Sequence, residues 1–293
     1  MDASSLIYRA FFSTPDTVKA PDGAAVNAAH GFLNMLARLV RDRDPDFLLC
    51  AIDADWRPRW RVDLLPGYKT HRLDMPALPE LDRQMPVIFE LLQLCRVAVA
   101  GAPDYEAEDV IGAVIPRCEG RVEIVSGDRD LFQLVRDPDV TVLYPKRGVS
   151  ELVTVDESYI RERFKIPGRA YGDYALLRGD ASDGLPGVPG IGEKTAALLI
   201  SKYGSVGAVI EAAMTGNGTG ALGKIGRALD YLDKAAQVVL ISSDAPVGEV
   251  DMTRPDGRPL PGAMELAERW ALNHPTERLL SALAAGKGRG PGR

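Results

Sequence analysis

The feature that most restricts how this chain can fold is a short acidic stretch, residues 105–110 (YEAEDV). The stretch contains Glu106, Glu108 and Asp109, and two further acids, Asp128 and Asp130, follow a short apolar run. In a helix that begins here, Glu106 and Asp109 share a face, because positions three apart are neighbours. Carboxylates this close retain protons unless a cation lies among them, and oxygen ligands suit Mg²⁺ or Mn²⁺ rather than zinc. The stretch therefore predicts a divalent-metal site, although each piece alone also fits a solvated helix start or an Asp-rich turn.

Apolar runs alternate with helical patterns through the first half of the chain. Residues 47–52 form an apolar run that ends at Asp53, and residues 121–127 form another that ends at Asp128. Such runs are typical of parallel strands covered on both faces, so we predict a doubly wound, mostly parallel α/β sheet with helices on both faces. In such sheets ligands bind beyond the carboxyl ends of the strands. The topology should therefore bring Asp53, the acidic helix and Asp128 to one rim.

Within this domain we predict a helix over 23–40 and a mobile, partly helical excursion punctuated by Pro76, Pro79 and Pro86. After about residue 165 the strand signals fade and short helices replace them. We therefore predict domains over 1–165 and 166–285, followed by a disordered tail over 286–293, which is a low-complexity run rich in Gly and basic residues.

The second domain contains a glycine-rich turn, residues 187–196 (GVPGIGEKTA). Gly190 and Gly192 permit a tight hairpin between two helices, and the backbone N–H groups there would face an anion. The turn is not a P-loop, because Glu193 stands where that motif requires lysine. An ordinary turn between helices remains the alternative.

Charge and cysteine content limit the class of protein. The net charge of −6 argues against nucleic acid, since binding domains are usually basic, but bound divalent ions would change the local sign. Local basic patches then matter more than the total, and residues 57–72 form one with interleaved aromatic rings. The three scattered cysteines indicate reduced thiols in a cytoplasmic protein, and we expect neither a signal peptide nor a membrane span.

Several ordered motifs give the chain a family resemblance. They are Asp2 with Tyr8-Arg9, Asp53 in IDA (52–54), Trp60-Arg61, GYKTHR (67–72), YEAED (105–109), SGDRDL (126–131), GDASD (179–183) and the glycine-rich turn. The chain resembles the bacterial 5′-nuclease family, which comprises the 5′ exonuclease domain of DNA polymerase I, its stand-alone and phage relatives, and the flap endonucleases. No polymerase follows, so the chain looks like a stand-alone enzyme.

The resemblance implies metal-dependent hydrolysis of DNA near a free 5′ end, on flaps, nicks and overhangs. Ligands to a first Mg²⁺ or Mn²⁺ would be Asp2, Asp53, Glu106, Glu108 and Asp128. Ligands to a second metal, largely through waters, would be Asp109, Asp130, Asp180 and Asp183. Two such cations activate the attacking water and stabilise the leaving oxygen.

The resemblance also implies DNA contacts. Arg61 and Lys69 would bind the scissile phosphate; the alternative is that they belong to a solvated basic loop. Tyr8 would stack on a base; the alternative is a tyrosine of the core. Residues 61–86 would form an arch over the 5′ strand. Further DNA contacts would come from Tyr68, Arg72, Gly190, Gly192, Lys194 and Thr195. The hairpin would bind K⁺ through its carbonyls. We further expect a nucleoid-associated monomer that works with DNA polymerase I and ligase.

Three positions depart from the family pattern. Glu108 replaces the usual Asp, and Gly184 replaces the usual Asn. Asp2 has only Met1 before it, where the family buries a strand of about five residues. We therefore expect either a misassigned or shortened start, or a loosely held Asp2.

Two other functions fit parts of the pattern. In a haloacid-dehalogenase-type phosphatase, Asp53 would be a covalent nucleophile and Asp55 a general acid/base, but that leaves most of the acidic stretch unexplained. A non-catalytic DNA-binding module would have no use for clustered acids, which repel phosphate in the absence of metal.

Overall fold

Strands and helices alternate through the first half of the chain, as predicted. The computed structural model describes residues 1–216 and 219–286. The elements up to residue 164 are α1 (Ala3–Ser13), α2 (Asn27–Arg43), β1 (Leu49–Ala51), α3 (Arg59–Leu64), α4 (Pro79–Leu94), β2 (Ala98–Ala100), α5 (Ala107–Val114), β3 (Val122–Val125), β4 (Val140–Pro145), β5 (Leu152–Val155) and α6 (Glu157–Phe164). Short 3₁₀ turns at 70–72, 115–117 and 130–134 complete this half.

The strands form two parallel pairs that the first two residues join. β1 pairs with β2 and β3 with β4, both in parallel, and β5 adds an antiparallel edge. Between the pairs, the Ala51 N–H donates to the carbonyl of Met1 at 2.9 Å, and the Asp2 N–H donates to the carbonyl of Val125 at 3.0 Å. The spatial order is thus β2, β1, residues 1–2, β3, β4 and β5. The predicted doubly wound, mostly parallel sheet is confirmed.

Alternate strand residues enter two separate cores, one on each face of the sheet. Ile124 and Val142 contribute to the core that α5 covers. Their neighbours Val125 and Leu143 contribute to the opposite core, which α1, α2 and α4 cover. This alternation follows from the two-residue period of a strand, and it explains why the strands are apolar throughout.

The region around Pro86 differs from its predicted mobility. Pro79 occupies the first turn of α4, where a proline costs nothing, and Pro86 lies inside the same helix. The helix persists because Ile88, Leu91 and Leu92 are fully buried against α2. The predicted helix over 23–40 also begins later, at Asn27.

The second half is helical within the described residues. Its elements are α7 (Tyr171–Arg178), α8 (Glu193–Tyr203), α9 (Val206–Thr215), α10 (Gly220–Gly226), α11 (Leu229–Val239), α12 (Ala263–Arg269) and α13 (Asn273–Ala285). The chain then returns to the first half, where α13 packs along α2. Apart from Gly286, the predicted tail lies outside the described residues.

No single described helix is long and apolar enough to cross a bilayer. α8 and α9 meet that length and composition only as a pair, and they are bent by 86° where they join.

Candidate active site

Three carboxylates form a compact group at the carboxyl edge of the sheet. Carboxylate oxygens of Glu108, Asp128 and Asp130 all lie within 4.8 Å of one another. Glu108 lies in the first turn of α5, and the two aspartates follow β3. All three offer oxygen, which is the donor that Mg²⁺ and Mn²⁺ prefer. The group therefore fits a divalent cation, and it combines residues that the sequence had assigned to two different metals.

The same group carries an electrostatic cost in the absence of a cation. Burial, reinforced by Glu106, raises the pKa of Glu108 well above its usual range. Burial together with the nearby Asp128 does the same to the pKa of Asp130. Both carboxyls therefore hold their protons more tightly than free carboxyls do, and a cation among them would oppose that effect.

Asp2 is firmly held, in contrast to the expectation of a loose residue. It is 5 % exposed, and it caps α1 by accepting the Ser5 N–H at 2.9 Å. Its other oxygen accepts the Ser126 hydroxyl at 2.5 Å. Burial, with Asp53 adding to it, raises the pKa of Asp2 to about 7. Residues 1–2, which lie between β1 and β3, thus place a carboxylate at the edge of the sheet.

Asp53 connects the ends of two helices at the same edge. One of its oxygens accepts the N–H of Ala107, the first residue of α5, at 2.8 Å. Its own N–H donates to the Ser4 hydroxyl on α1 at 2.9 Å. The side chain is exposed, so its second oxygen remains available at the rim.

Asp109 and Arg61 differ most from their predicted roles. Arg61 is fully buried and binds Asp109 with two N–H groups, at 2.7 and 2.8 Å. Asp109 is also fully buried and accepts the backbone N–H of Ser242 at 2.9 Å. Every oxygen of Asp109 is therefore occupied by a protein donor, and the guanidinium cannot reach a phosphate. Asp109 is the counter-charge of Arg61 rather than a ligand at the metal group.

Glu106 accepts three side-chain donors beneath the cluster. Arg61 donates to it at 2.8 Å and the Tyr68 hydroxyl at 2.5 Å, and Lys69 forms an ion pair with it. Tyr68 is 1 % exposed. Its burial differs from the predicted contact with DNA: the ring belongs to a small core with Leu185 and Val238.

The loop that carries the last two predicted metal ligands rests on the basic residues. The Asp183 carboxylate lies 2.9 Å from Arg72 and 3.8 Å from Lys69, and Asp180 lies 3.1 Å from Arg178. Gly184 explains one departure from the family pattern. Its φ is +70°, and a Cβ there would lie 2.7 Å from the carbonyl of Gly67, so a side chain would require the backbone to shift.

Residues 61–86 do not stand apart as the predicted arch. Arg61 and Tyr68 are buried, and the backbone N–H of Lys69 donates to the carbonyl of Asp183 at 2.8 Å. The longest run of exposed residues in this range is 73–77, between the 3₁₀ turn and α4. Packing of the basic turn against the 180–185 loop accounts for the difference.

Tyr8 is a surface residue, which removes the core alternative. It is 44 % exposed on α1, and its ring contacts that of Phe12 with centroids 4.8 Å apart. Phe12 is 62 % exposed. Phe12 was not among the predicted site residues, although its spacing of four residues from Tyr8 places both on one helix face.

Ser126 and Lys224 are two further polar residues that the sequence analysis did not assign to the site. The Ser126 hydroxyl donates to the Asp2 carboxylate and accepts the backbone N–H of Asp128 at 2.9 Å, so it orients the first carboxylate and fixes the backbone at the second. Its place directly after an apolar strand was the available signal. Lys224 contacts the glycine hairpin, where its Nζ donates to the carbonyl of Gly190 at 2.9 Å.

The hairpin itself has the predicted form. Gly187 and Gly190 adopt φ of +67° and +77°, and α8 begins directly after Gly192. Lys194 is exposed in the first turn of α8, whereas Thr195 is half-buried.

Comparison with known proteins identifies the family. Residues 1–165 match the 5′-3′ exonuclease N-terminal resolvase-like domain, and residues 166–257 match the 5′-3′ exonuclease C-terminal SAM fold. The chain is 45 % identical to a 5′-3′ exonuclease of Streptomyces coelicolor over 97 % of this chain and 99 % of that one. It is 42 % identical to one from Mycobacterium tuberculosis, over 97 % and 96 % of the two chains.

A solved structure has the same fold. The flap endonuclease of bacteriophage T5, solved with DNA and metal ions, superposes with a TM-score of 0.68 at 16 % identity, over 96 % of this chain and 97 % of that one. Together with the two domain matches, which cover most of the sequence, this likeness accounts for both the sheet and the helical half. The chain belongs to the 5′-3′ exonuclease family.

Proposed function

We propose that this protein is a divalent-metal-dependent nuclease that hydrolyses DNA phosphodiester bonds near free 5′ ends, as a 5′-3′ exonuclease and 5′-flap endonuclease. The observation that carries the proposal is the group of Glu108, Asp128 and Asp130, with Asp2 and Asp53 beside it at one edge of the sheet. Relatives that match nearly the whole chain are named 5′-3′ exonucleases.

The cation is Mg²⁺ or Mn²⁺, because the available donors are all carboxylate oxygens. Glu108, Asp128 and Asp130 would hold it. A second ion would be held by Asp180 and Asp183 once their ion pairs with basic residues open. When bound, such ions lower the pKa of the attacking water and stabilise the leaving oxygen.

The protein's own residues position the DNA. Lys69 and Arg72 both face Asp183 in this structure. Arg72 is half-buried, whereas Lys69 is 6 % exposed and also pairs with Glu106. An arriving phosphate would compete for them and leave that carboxylate free for metal. Tyr8 offers an exposed ring for base stacking. The hairpin and Lys194 would grip the duplex backbone, and such phosphate contacts position DNA without reading its sequence.

The phosphatase alternative finds less support. It requires Asp53 and Asp55 to act together, but the Asp55 carboxylate accepts the backbone N–H of Arg57 at 2.9 Å. Asp55 is also absent from the carboxylate group at the edge of the sheet.

We further propose that the enzyme acts on flaps, nicks and overhangs as a monomer. It would work alongside DNA polymerase I and ligase, since trimming a 5′ flap prepares an end that a ligase can join.

A labelled 5′-flap duplex tests the proposal. Wild-type protein should release the flap with Mg²⁺ and not with a chelator. Asp128→Asn should abolish cleavage while leaving DNA affinity within about threefold, since metal ligation drives the chemistry and phosphate contacts drive affinity. Asp42→Asn, a change on the exposed side of α2, is the control. Wild-type cleavage by Asp128→Asn at saturating Mg²⁺ would remove Asp128 from the site.

A further inference from the structure

Lys224 lies across the turn of the glycine hairpin. Its Nζ donates to the carbonyl of Gly190 at 2.9 Å. A Cβ built on Gly190 would meet Nζ, Cε and Cδ of Lys224 at 2.8, 3.2 and 3.4 Å. The end of the lysine side chain therefore follows the surface of the hairpin, in space that any other residue at position 190 would occupy. α10 supplies this lysine from a part of the chain 34 residues further on.

This contact conflicts with a K⁺ ion on the hairpin carbonyls. A monovalent cation needs several carbonyl oxygens whose lone pairs are free. The Gly190 oxygen already accepts the Lys224 ammonium, and the Val188 oxygen keeps only one free lone pair because it accepts the N–H of Ile191 at 2.9 Å. An ion at the Gly190 carbonyl would also lie beside a full positive charge, which would repel it. The hairpin described here does not fit K⁺.

We infer that the Lys224 ammonium takes the place of the monovalent cation at this hairpin. The inference rests on the proposed function, in which the hairpin grips the duplex backbone. An ammonium has three N–H donors, and only one is used on Gly190. The other two N–H groups can reach a phosphate oxygen, so Lys224 would bridge the hairpin and the DNA. Binding should then depend on this lysine and be insensitive to which monovalent cation is in solution.

DNA affinity measured by fluorescence anisotropy tests this in the Asp128→Asn background, which should bind a 5′-flap duplex without cutting it. Titrations are run in KCl, NaCl and choline chloride at equal ionic strength. With Lys224 present, the Kd should agree within about twofold in all three salts. Lys224→Met keeps the alkyl chain and removes the charge. It should weaken binding in NaCl and choline chloride by roughly five- to tenfold and reduce the slope of log affinity against log salt by about 1.

Lys234→Met is the matched control, because it removes an exposed lysine of the same domain, on α11. Its Kd should change by less than about twofold. Two outcomes would overturn the inference. One is an affinity with Lys224 present that is more than about fivefold tighter in KCl than in choline chloride. The other is a Lys224→Met variant that cannot be distinguished from Lys234→Met.

Thermal unfolding without DNA gives an independent measurement. The wild-type Tm should be the same in the three salts, whereas Lys224→Met should gain stability in KCl, because the Gly190 carbonyl becomes free for an ion. A rise of the wild-type Tm specific to KCl would contradict the inference whatever the DNA result. Failure of the proposed function would appear separately, as a lack of Mg²⁺-dependent flap release by the unmodified enzyme.

Discussion

Replacing Arg61 with methionine should destabilise the protein strongly, because it leaves the buried Asp109 carboxylate without its counter-charge and removes one of the three side-chain donors to Glu106. Arg61 and Asp109 are both fully buried and joined by two hydrogen bonds, and Glu106 accepts a third. Methionine fills much of the same volume, so the lost charge rather than a cavity dominates. Removing one partner of a buried pair costs roughly 3–5 kcal/mol. We expect a loss in the free energy of unfolding of that size.

Arg59 provides a matched control on the same helix. Its ion pair with Asp63 is 3.7 Å long, and the two side chains are 88 % and 69 % exposed. Exposed pairs contribute roughly 0–1 kcal/mol, so Arg59→Met should leave stability nearly unchanged. The comparison holds the residue type, the helix and the substitution constant and changes only burial.

Urea unfolding followed by far-ultraviolet circular dichroism measures the free energy of unfolding of both variants. If the slope of that free energy against urea concentration is unchanged, the denatured state is the same in both. Adding Asp109→Asn to Arg61→Met should recover part of the loss, because the neutral amide can still accept the Ser242 N–H. The reasoning is refuted if Arg61→Met lies within about 1 kcal/mol of Arg59→Met. Near-normal stability with cleavage lost would instead support the phosphate contact predicted from the sequence.

Two further predictions concern the rim and the metal-free cluster. Lys69→Ala should slow single-turnover flap cleavage by roughly 10²–10³, the usual loss for one electrostatic stabiliser. Arg59→Ala is the control. If the cleavage rate of Lys69→Ala lies within threefold of the control rate and only DNA affinity is reduced, Lys69 is a docking residue. In EDTA, stability should fall as pH rises from 5 to 8, because Asp2 has its pKa raised from 3.8 to about 7 in the folded state and so binds more protons there than in the unfolded chain. The full shift corresponds to roughly 4 kcal/mol, of which roughly 2.5 kcal/mol falls between pH 5 and 8. Asp2→Asn should flatten the dependence, and Mg²⁺ should offset it above pH 7. Urea unfolding at each pH measures both proteins, and an equal fall for wild type and Asp2→Asn would contradict this assignment.

The sequence by itself determined the sheet and the edge where its acids collect. Apolar runs that end at Asp53 and Asp128 predicted parallel strands, and the carboxyl ends of parallel strands lie at one edge. This reasoning depends only on local patterns and on a rule of chain topology. It therefore placed Asp128 and Glu108 in the same region without any knowledge of side-chain contacts.

Only the tertiary structure decided which of those acids face the rim and which carry buried ion pairs. The helical spacing that puts Glu106 and Asp109 on one face does not say whether that face meets a metal or an arginine. Burial of Arg61 beneath α5 decides it, and the partner comes from 48 residues away. Lys224 reaches Gly190 across 34 residues for the same reason. Pairing of charges depends on which distant surfaces pack together, and no local pattern in the sequence encodes that.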